Sequence, residues 1–476
     1  MSKKEIRKID ISSIKNPDFL KDLSYKELDQ LSLDIKDYIL EATSKNGGHL
    51  SSNLGVMDAT ISLFRKFDFL KDKIIFDVGH QCYTYKILTG RSLDKLRKKD
   101  GISGFQKIDE SPYDHFECGH SSTSISAANG MAIARDLNKE KYEIIAFIGD
   151  ASIANGLAFE GLNVADEKNK IIVVLNDNGM AISQPSGGLA NTFRKFSTTR
   201  LYAGGKRALR KVFGKGRLGN FILRSLSKFK NWFKRKILSI NIFDILGYKM
   251  IGPVDGHNIK EVEKALEKAK RCNESVVVYL KTKKGKGCKY TEEDMDGSYH
   301  GVSKFDVNTG DKICNIDEVS WSKQYEDLLI KEMGINDKLI TIVPGTSVGS
   351  ELDPIRNEYP NRFIDVGIAE EHAITMASGL AISGYHPVLS VYSTFLQRGY
   401  DQLNHDLARL KCDATLLIDR SGLVGSDGDT HQGIYDAQFL LGIPNVTVTM
   451  AARPSEAESL FKESFCHHGV FAIRYP

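Results

Sequence analysis

The chain has 476 residues, of which 41% are hydrophobic and 26% charged, and its formal net charge is +4. These proportions are typical of a globular protein of several domains, and no apolar run is long enough to predict a transmembrane helix. The seven cysteines are scattered without metal-ligand spacing, and no apolar segment follows the basic first residues. We therefore expect a cytoplasmic protein with reduced thiols and no signal peptide.

The positive charge is concentrated in one segment. Residues 194–236 contain 15 Lys and Arg and no Asp or Glu, which leaves 50 basic against 61 acidic residues elsewhere. Because this charge is local, the sequence does not predict a nucleic-acid-binding protein. The apolar residues of the segment fall on one helical face: Ile222, Leu226, Phe229, Phe233 and Ile237. A membrane-surface helix is one interpretation. We favour a docked helix or mobile lid within a basic insertion at about 185–243, without stable membrane insertion.

The rest of the chain alternates predicted helices and strands, which is typical of α/β architecture with mainly parallel sheets flanked by helices. In the first part we predict helices over 23–40, 57–64, 124–137, 153–165 and 259–272, and strands over 74–76, 144–148, 171–175, 248–251 and 275–281. After a polar linker near 303–318, we predict a helix over 321–333 and strands over 339–343, 363–366, 387–392, 414–418, 446–450 and 470–474. We accordingly divide the chain into domains 1–305 and 319–476.

Two predicted strands end in polar turns, one containing Asp150 and the other containing Asn178. In a parallel sheet both turns lie at the carboxyl edge, where open α/β sheets bind ligands. Carboxylate and amide oxygens suit Mg²⁺, and the backbone N–H groups of Ala151 and Ser152, where the next helix is predicted to open, suit a phosphate. The sequence thus predicts a metal-bridged diphosphate site, with a chance pair of strand-end turns as the alternative.

Further candidates for chemistry lie in turns and at strand ends. Five histidines occupy glycine-containing or polar turns: His49, His80, His120, His300 and His431. Each alone fits a structural role, but together they indicate a site that moves protons near neutral pH. Glu370 opens a predicted helix, where the helix dipole alone also favours an acidic residue. Arginines at or after strand ends suit phosphate, although salt bridges would explain any one of them: Arg398, Arg420 and Arg474.

Nine motifs, in order along the chain, resemble the 1-deoxy-D-xylulose-5-phosphate synthase family of thiamin-diphosphate enzymes, which is related to transketolase. They are GGHL (47–50), DVGHQ (77–81), GHSSTSIS (119–126), NDN (176–178), IGPVDGH (251–257), TKKG (282–285), IAE (368–370), YSTFLQR (392–398) and DGDTHQG (427–433). The resemblance implies two consecutive thiamin-diphosphate-binding-type α/β domains and a homodimer. It also implies that pyruvate loses CO₂ and joins D-glyceraldehyde 3-phosphate, giving 1-deoxy-D-xylulose 5-phosphate, a precursor of isoprenoids, thiamin and pyridoxal.

The resemblance also implies a role for each matching residue. Mg²⁺ is held by Asp150, Asn178 and the Met180 carbonyl. Thiamin diphosphate is lined by His80, Gly119, His120, Ser121, Ala151, Ser152, Asn178 and Cys288. Glu370 hydrogen-bonds the aminopyrimidine ring of the cofactor and is the activating acid. Substrate binding and proton transfer involve His49, His80, His300 and His431. The acceptor aldehyde and its phosphate are surrounded by Tyr392, Arg398, Arg420 and Asp427.

Three departures from the family pattern qualify these expectations. Ala151 replaces the usual glycine, which is harmless if its backbone is helical and costs about 1 kcal/mol if φ is positive. We expect the helical case. Cys288 replaces a tyrosine that Tyr290 could supply. The family continues beyond Pro476 with another arginine and a C-terminal α/β domain, so we expect a fragment, a shortened form or half of a split enzyme.

These departures leave two alternatives to the synthase. One is a paralogue that uses thiamin diphosphate with another donor or acceptor. The other is a non-catalytic paralogue that only binds the cofactor.

Overall fold

The computed structural model describes residues 8–164, 169–179, 242–294, 296–313 and 319–476. Within them the chain forms two separate parallel sheets, each flanked by helices, as the sequence predicts. The basic segment over 194–236 and Met180 lie outside the described residues, so their predictions stay predictions. No helix in the described ranges is both long and apolar enough to cross a membrane.

The first sheet has five strands in the order β1-β2-β3-β5-β4. They are β1 (Lys73–Phe76), β2 (Ile144–Gly149), β3 (Ile172–Asp177), β4 (Lys249–Asp255) and β5 (Val276–Lys281). The helices of this part are α1 (Tyr25–Asn46), α2 (Leu50–Leu54), α3 (Met57–Lys66), α4 (Tyr83–Leu88), α5 (Ser124–Leu137), α6 (Gly156–Asn163), α7 (Ile242–Ile245), α8 (Ile259–Lys270) and α9 (Lys289–Glu292). The inner strands β2, β3 and β5 are buried along almost their whole length. Burial on both faces explains why their sequences are continuously apolar.

The second sheet has six parallel strands in the order β10-β11-β9-β8-β6-β7. They are β6 (Leu339–Val343), β7 (Phe363–Asp365), β8 (His386–Tyr392), β9 (Ala414–Asp419), β10 (Val446–Met450) and β11 (Val470–Arg474). The helices are α10 (Trp321–Met333), α11 (Asp353–Glu358), α12 (Glu370–Ile382), α13 (Ser393–Leu396), α14 (Tyr400–Gln402), α15 (Asp436–Leu441) and α16 (Pro454–Ser464). Two apolar clusters, one on each face, form its core.

Helix α1 shows how local sequence brings one functional residue to the site. Its start is a capping box, in which the Ser24 hydroxyl accepts the Glu27 N–H and the Glu27 carboxylate accepts the Ser24 N–H. Its end leads into Gly48, whose φ is +139°, and a Cβ there would lie 2.7 Å from the Tyr83 hydroxyl oxygen. Only glycine fits this close approach, which places the next residue, His49, at the carboxyl edge of the sheet.

The helix predicted over 153–165 is wrong in its first part. A 3₁₀ turn over Ser152–Ala154 comes first, and α6 begins only at Gly156. The break occurs because Asn155 is extended, with ψ of 150°, and its side-chain oxygen accepts the Leu157 N–H at 3.0 Å. Asparagine in this role is a strong N-cap, so it starts a new helix rather than continuing the turn.

We expect Leu175→Ala to lower the free energy of unfolding by about 2–5 kcal/mol, because it would leave a cavity in the core. Leu175 is completely buried in β3, between β2 and β5. The matched control is Leu70→Ala, since Leu70 is 58% exposed. Urea denaturation would measure both changes, and equal losses for the two variants would contradict this account of the core.

Candidate active site

The carboxyl ends of both sheets open into one cavity of about 980 Å³, counted with its open mouth. This is the edge at which parallel sheets bind ligands. Most of the predicted site residues line it together: His49, His80, Gly119, Ser121, Asp150, Ala151, Ser152, Asn178, His300, Glu370 and His431. Residues that are far apart in the sequence therefore meet in one place, on both sides of the gap between the sheets.

The turns after β2 and β3 bring two carboxylates close together at one end of the cavity. The Gly179 N–H donates to Asp150 Oδ2 at 3.1 Å and to Asp177 Oδ1 at 2.9 Å. Burial, and then the charge of Asp177, hold the pKa of Asp150 well above its ordinary value. A cation would relieve this unfavourable burial of negative charge. In the described part of the chain no three His, Cys, Asp or Glu side chains form a metal cluster.

Ala151 adopts φ of −71° and ψ of −43°, so the expectation of a helical backbone at this departure is confirmed. No positive φ is demanded here, and the methyl group introduces no backbone strain. The N–H groups at Ala151 and Ser152 open a three-residue 3₁₀ turn instead of the predicted α-helix. The turn is held by the Ser122 hydroxyl, which donates to the Ser152 carbonyl at 2.8 Å.

Asp77, at the end of β1, organises the glycine-rich turn beside the cavity, although the sequence assigned it no role. Its buried carboxylate accepts the Ser122 N–H and the Ser124 hydroxyl, each at 2.7 Å. The same turn contains Gly119, where a Cβ would overlap the side chain of Thr430 from the second sheet. Glycine is therefore needed at this point for the two halves of the cavity to approach each other.

Three of the predicted histidines form a contact cluster within the cavity. The ring centroids are 5.1 Å apart for His49 and His80, 5.7 Å for His49 and His300, and 5.1 Å for His80 and His300. Asn53 fixes two of them, because its amide donates to the carbonyls of His49 at 2.6 Å and His80 at 2.8 Å.

Burial lowers the pKa of all three rings. It holds the pKa of His80 at about 3 and those of His49 and His300 well below the ordinary value of 6.5. The rings are therefore neutral at pH 7, so that each can both donate and accept a proton. Buried Nδ1 atoms of His49 and His80 have no hydrogen-bond partner within the described residues.

The other two predicted histidines lie at the junction of the sheets. His431 stacks on Phe105 with centroids 5.1 Å apart and contacts the His120 ring at 5.6 Å. His120 does not line the cavity, and its Nε2 lies 2.8 Å from the Thr394 hydroxyl of the second sheet. Burial lowers the pKa of His120 to about 4.

Glu370 is the first residue of α12 and is only 3% exposed. Burial raises the pKa of its carboxyl to about 7, although the Arg398 guanidinium, 3.9 Å from Oε2, acts in the opposite direction. Its Oε2 atom has no hydrogen-bond partner anywhere in the described ranges. A buried polar atom without a partner at the wall of a cavity fits a ligand that supplies the missing hydrogen bond.

Arg398 lies beside two residues that line the cavity, Ser121 and Glu370. Its guanidinium donates to the Ser121 carbonyl and lies 3.3 Å from the Ser121 hydroxyl. With these bonds made and Glu370 beside it, the arginine is engaged in joining the sheets. Its predicted contact with an acceptor phosphate stays a prediction, and in this arrangement the guanidinium is an electrostatic neighbour of Glu370.

Tyr392, Arg420 and Asp427 are the remaining predicted substrate residues. Phe395 lines the cavity, and the Tyr392 ring stacks on it with centroids 5.6 Å apart. The Arg420 guanidinium lies 5.1 Å above the Tyr392 ring, and Asp427 forms an ion pair with Arg97. The structure thus brings Tyr392 and Arg420 together beside Phe395.

Cys288 lies in the turn after β5, and its predicted cofactor contact stays a prediction. It is buried in the apolar core of the first part and precedes α9. Tyr290, the suggested substitute for the family's tyrosine, instead packs on Tyr299 with centroids 5.1 Å apart and donates to the Val307 carbonyl at 3.3 Å.

Two residues that the sequence left without a role also line the cavity. Lys284 follows β5 and is 9% exposed, and burial lowers the pKa of its amine. Its position just after a strand at the carboxyl edge was the available signal. Val78 follows β1 and has φ of +61°, a strained conformation for a β-branched residue that no sequence pattern predicts.

Comparison with known proteins gives matches over both parts of the chain. Residues 11–282 match the family described as 1-deoxy-D-xylulose-5-phosphate synthase, and residues 317–476 match the transketolase pyrimidine binding domain. The 1-deoxy-D-xylulose-5-phosphate synthase of Listeria welshimeri is 45% identical over 474 residues, covering 98% of this chain and 75% of that protein. That of Clostridium tetani is 43% identical over 463 residues, covering 96% and 74%. A transketolase structure from Campylobacter jejuni shares 15% identity over 95% of this chain and 78% of that chain, with a TM-score of 0.42.

We expect Glu370→Gln to stabilise the protein at pH 8 in the absence of ligand, but not at pH 4.5. The folded state keeps the proton on this carboxyl up to pH about 7, whereas the unfolded state loses it near the ordinary pKa of 4.5. Wild-type stability therefore falls between these two pH values, by about 3 kcal/mol at most, and the glutamine variant escapes that loss. Thermal unfolding at both pH values measures it. Glu371→Gln is the control, and equal behaviour of the two variants would contradict the prediction.

Proposed function

The chain belongs to the 1-deoxy-D-xylulose-5-phosphate synthase family, and on that premise we propose that it joins pyruvate to D-glyceraldehyde 3-phosphate. CO₂ is lost, and the product is 1-deoxy-D-xylulose 5-phosphate, a precursor of isoprenoids, thiamin and pyridoxal. The observation that carries the proposal is Glu370, a buried carboxyl with an unsatisfied oxygen and a pKa near 7, in one cavity with Asp150 and Asn178. This combination fits an enzyme that binds a diphosphate at one sheet and activates a nitrogen heterocycle from the other.

The residues present fit thiamin diphosphate with Mg²⁺. Asp150 and Asn178 would hold the cation together with diphosphate oxygens, since Mg²⁺ prefers carboxylate, amide and phosphate oxygen ligands. The backbone turn at Ala151 and Ser152 would contact the diphosphate, and Ser121 lines the same end of the cavity. When bound, thiamin diphosphate supplies the thiazolium carbon that attacks the keto group of pyruvate and accepts the electrons released with CO₂.

Glu370 would hydrogen-bond the ring nitrogen of the aminopyrimidine. A carboxyl with a pKa near 7 can share its proton with that nitrogen at working pH. Glu370 would thereby hold a proton at the ring nitrogen of the aminopyrimidine, which is the contact that would activate the bound cofactor. Arg398, 3.9 Å from Glu370 Oε2, keeps the pKa of the carboxyl from rising further.

The histidines would orient the substrates and move their protons. His49, His80 and His300 are neutral, so they can donate to a substrate carbonyl oxygen and accept a hydroxyl proton without adding charge to the cavity. For the acceptor phosphate we propose Arg420, with Tyr392 beneath its guanidinium, since planar guanidinium groups bind phosphate in a bidentate manner.

We also propose that the chain acts as a homodimer in the cytoplasm. Exposed apolar side chains occur on and beside the adjacent helices α5 and α6, which supports a contact surface there: Ile133, Leu137, Phe159 and Val164. The six cysteines of the described ranges are free, in keeping with a reducing compartment. Sedimentation velocity at micromolar concentration should give twice the mass of one chain, and a monomer under these conditions would contradict the dimer.

The direct test is to incubate the protein with Mg²⁺, thiamin diphosphate, pyruvate and D-glyceraldehyde 3-phosphate. We expect CO₂ and deoxyxylulose phosphate in equal amounts. Release of CO₂ without this product would favour a paralogue with another acceptor. If calorimetry showed no cofactor binding, the enzymatic proposal would be wrong.

Glu370→Ala should lower the turnover rate by at least about a hundredfold, while the dissociation constant for thiamin diphosphate changes much less. The reason is that general acid–base steps contribute about 10²- to 10⁴-fold, whereas the diphosphate end of the cofactor is held by the other sheet. Glu371→Ala is the matched control from the same helical turn and should keep its activity. Retained turnover in Glu370→Ala would refute the assigned role.

A further inference from the structure

The proposed function, on which this inference rests, needs two groups from different sheets to act on one cofactor. The diphosphate would be held after β2, near Asp150, and the activating carboxyl of Glu370 begins α12 in the second sheet. Activity then depends on the distance and angle between these two turns. A misplacement of a reacting group by about 1 Å can cost a hundredfold in rate.

Asn155 connects these two turns directly. Its side-chain amide donates to the Ile368 carbonyl at 3.0 Å, two residues before Glu370 in the chain. Its side-chain oxygen accepts the Leu157 N–H at 3.0 Å and thereby caps α6, and its backbone N–H donates to the Ser152 carbonyl at 3.3 Å. One residue, 1% exposed, thus contacts the 3₁₀ turn, the following helix and the partner sheet.

We propose that Asn155 is a positioning residue that holds Glu370 in register with the cofactor bound at Asp150. The amide suits this role because it has a donor and an acceptor pointing in different directions. The acceptor is used by α6, which fixes the side chain to the first sheet. The amide N–H is left to bond the group that faces it, which is the Ile368 carbonyl.

Serine at this position separates the two functions. Ser caps helices about as well as Asn, but it is too short to reach the Ile368 carbonyl and also cap. Asn155→Ser would therefore preserve α6 and remove only the bond between the sheets. Asn155→Asp would also keep the cap, but it would place a carboxylate oxygen against a carbonyl oxygen.

The experiment compares the full chain, Asn155→Ser and Asn258→Ser, each loaded with Mg²⁺ and thiamin diphosphate. Asn258 is a matched control because it caps α8 by accepting the Glu261 N–H at 3.2 Å and does not line the cavity. The main readout is the rate of hydrogen–deuterium exchange at the thiazolium C2 of the bound cofactor, followed by NMR after acid quenching. Calorimetric cofactor affinity and the thermal midpoint are measured on the same samples.

We expect C2 exchange to slow about three- to tenfold in Asn155→Ser, the effect of one neutral hydrogen bond, and to slow more in Asn155→Asp. Cofactor affinity should stay within about twofold, and the thermal midpoint should match that of Asn258→Ser. Equal exchange rates in Asn155→Ser and Asn258→Ser would overturn the inference. So would a slower rate accompanied by an equal loss of affinity, because this would show a capping role only.

Failure of the proposed function would be recognised separately. It would appear in the wild-type chain, as C2 exchange without formation of deoxyxylulose phosphate. Failure of the inference would appear only in the ratio of variant to wild-type exchange rates, whatever the acceptor substrate is.

Discussion

Each half of the cavity is chemically incomplete without the other, so the close approach of the two sheets is the constraint on which the rest depends. The contact between Gly119 and Thr430 leaves no space for a Cβ. Around it, the Ser121 carbonyl accepts from the Arg398 guanidinium of the second sheet. Both contacts involve the backbone of the turn that precedes α5, and backbone cannot change rotamer to compensate, so the geometry is stiff.

The same approach excludes water, and this sets the electrostatics of the site. Burial is the largest cause of the shifted pKa at His49, His80, Asp150 and Glu370. Each shift is toward the neutral form, as expected when a charge is removed from water. The free-energy cost of burying these groups and the strained backbone of Val78 both occur in the region that contains the unsatisfied polar atoms. The unliganded site therefore lowers the stability of the protein, and we expect ligand binding to raise it.

Much of the fold could be predicted because it follows from one-dimensional patterns. Apolar runs give buried parallel strands, and the turns at their carboxyl ends locate Asp150 and Asn178. The features that the sequence does not reveal depend on contacts between distant residues. The sequence does not show that Arg398 has a partner in the first part of the chain, nor that Cys288 is buried in the apolar core. The role of Asn155 cannot be predicted from the sequence, because one amide that both caps a helix and bonds the second sheet is visible only when both sheets are present.

The distribution of charge explains how one cavity can serve both a decarboxylation and a phosphate-bearing acceptor. Neutral histidine rings line the cavity together with the buried Lys284, whereas Arg97 pairs with Asp427 and Arg420 lies over Tyr392. An ionic group at the centre would be costly to bury and would stabilise the charged substrate more than the less charged state that follows loss of CO₂. The guanidinium of Arg420, which we propose as the phosphate ligand, remains partly exposed, and such a group can bind a phosphate in a bidentate manner. On the proposed function, the neutral rings serve the loss of CO₂ and Arg420 serves recognition of the phosphate.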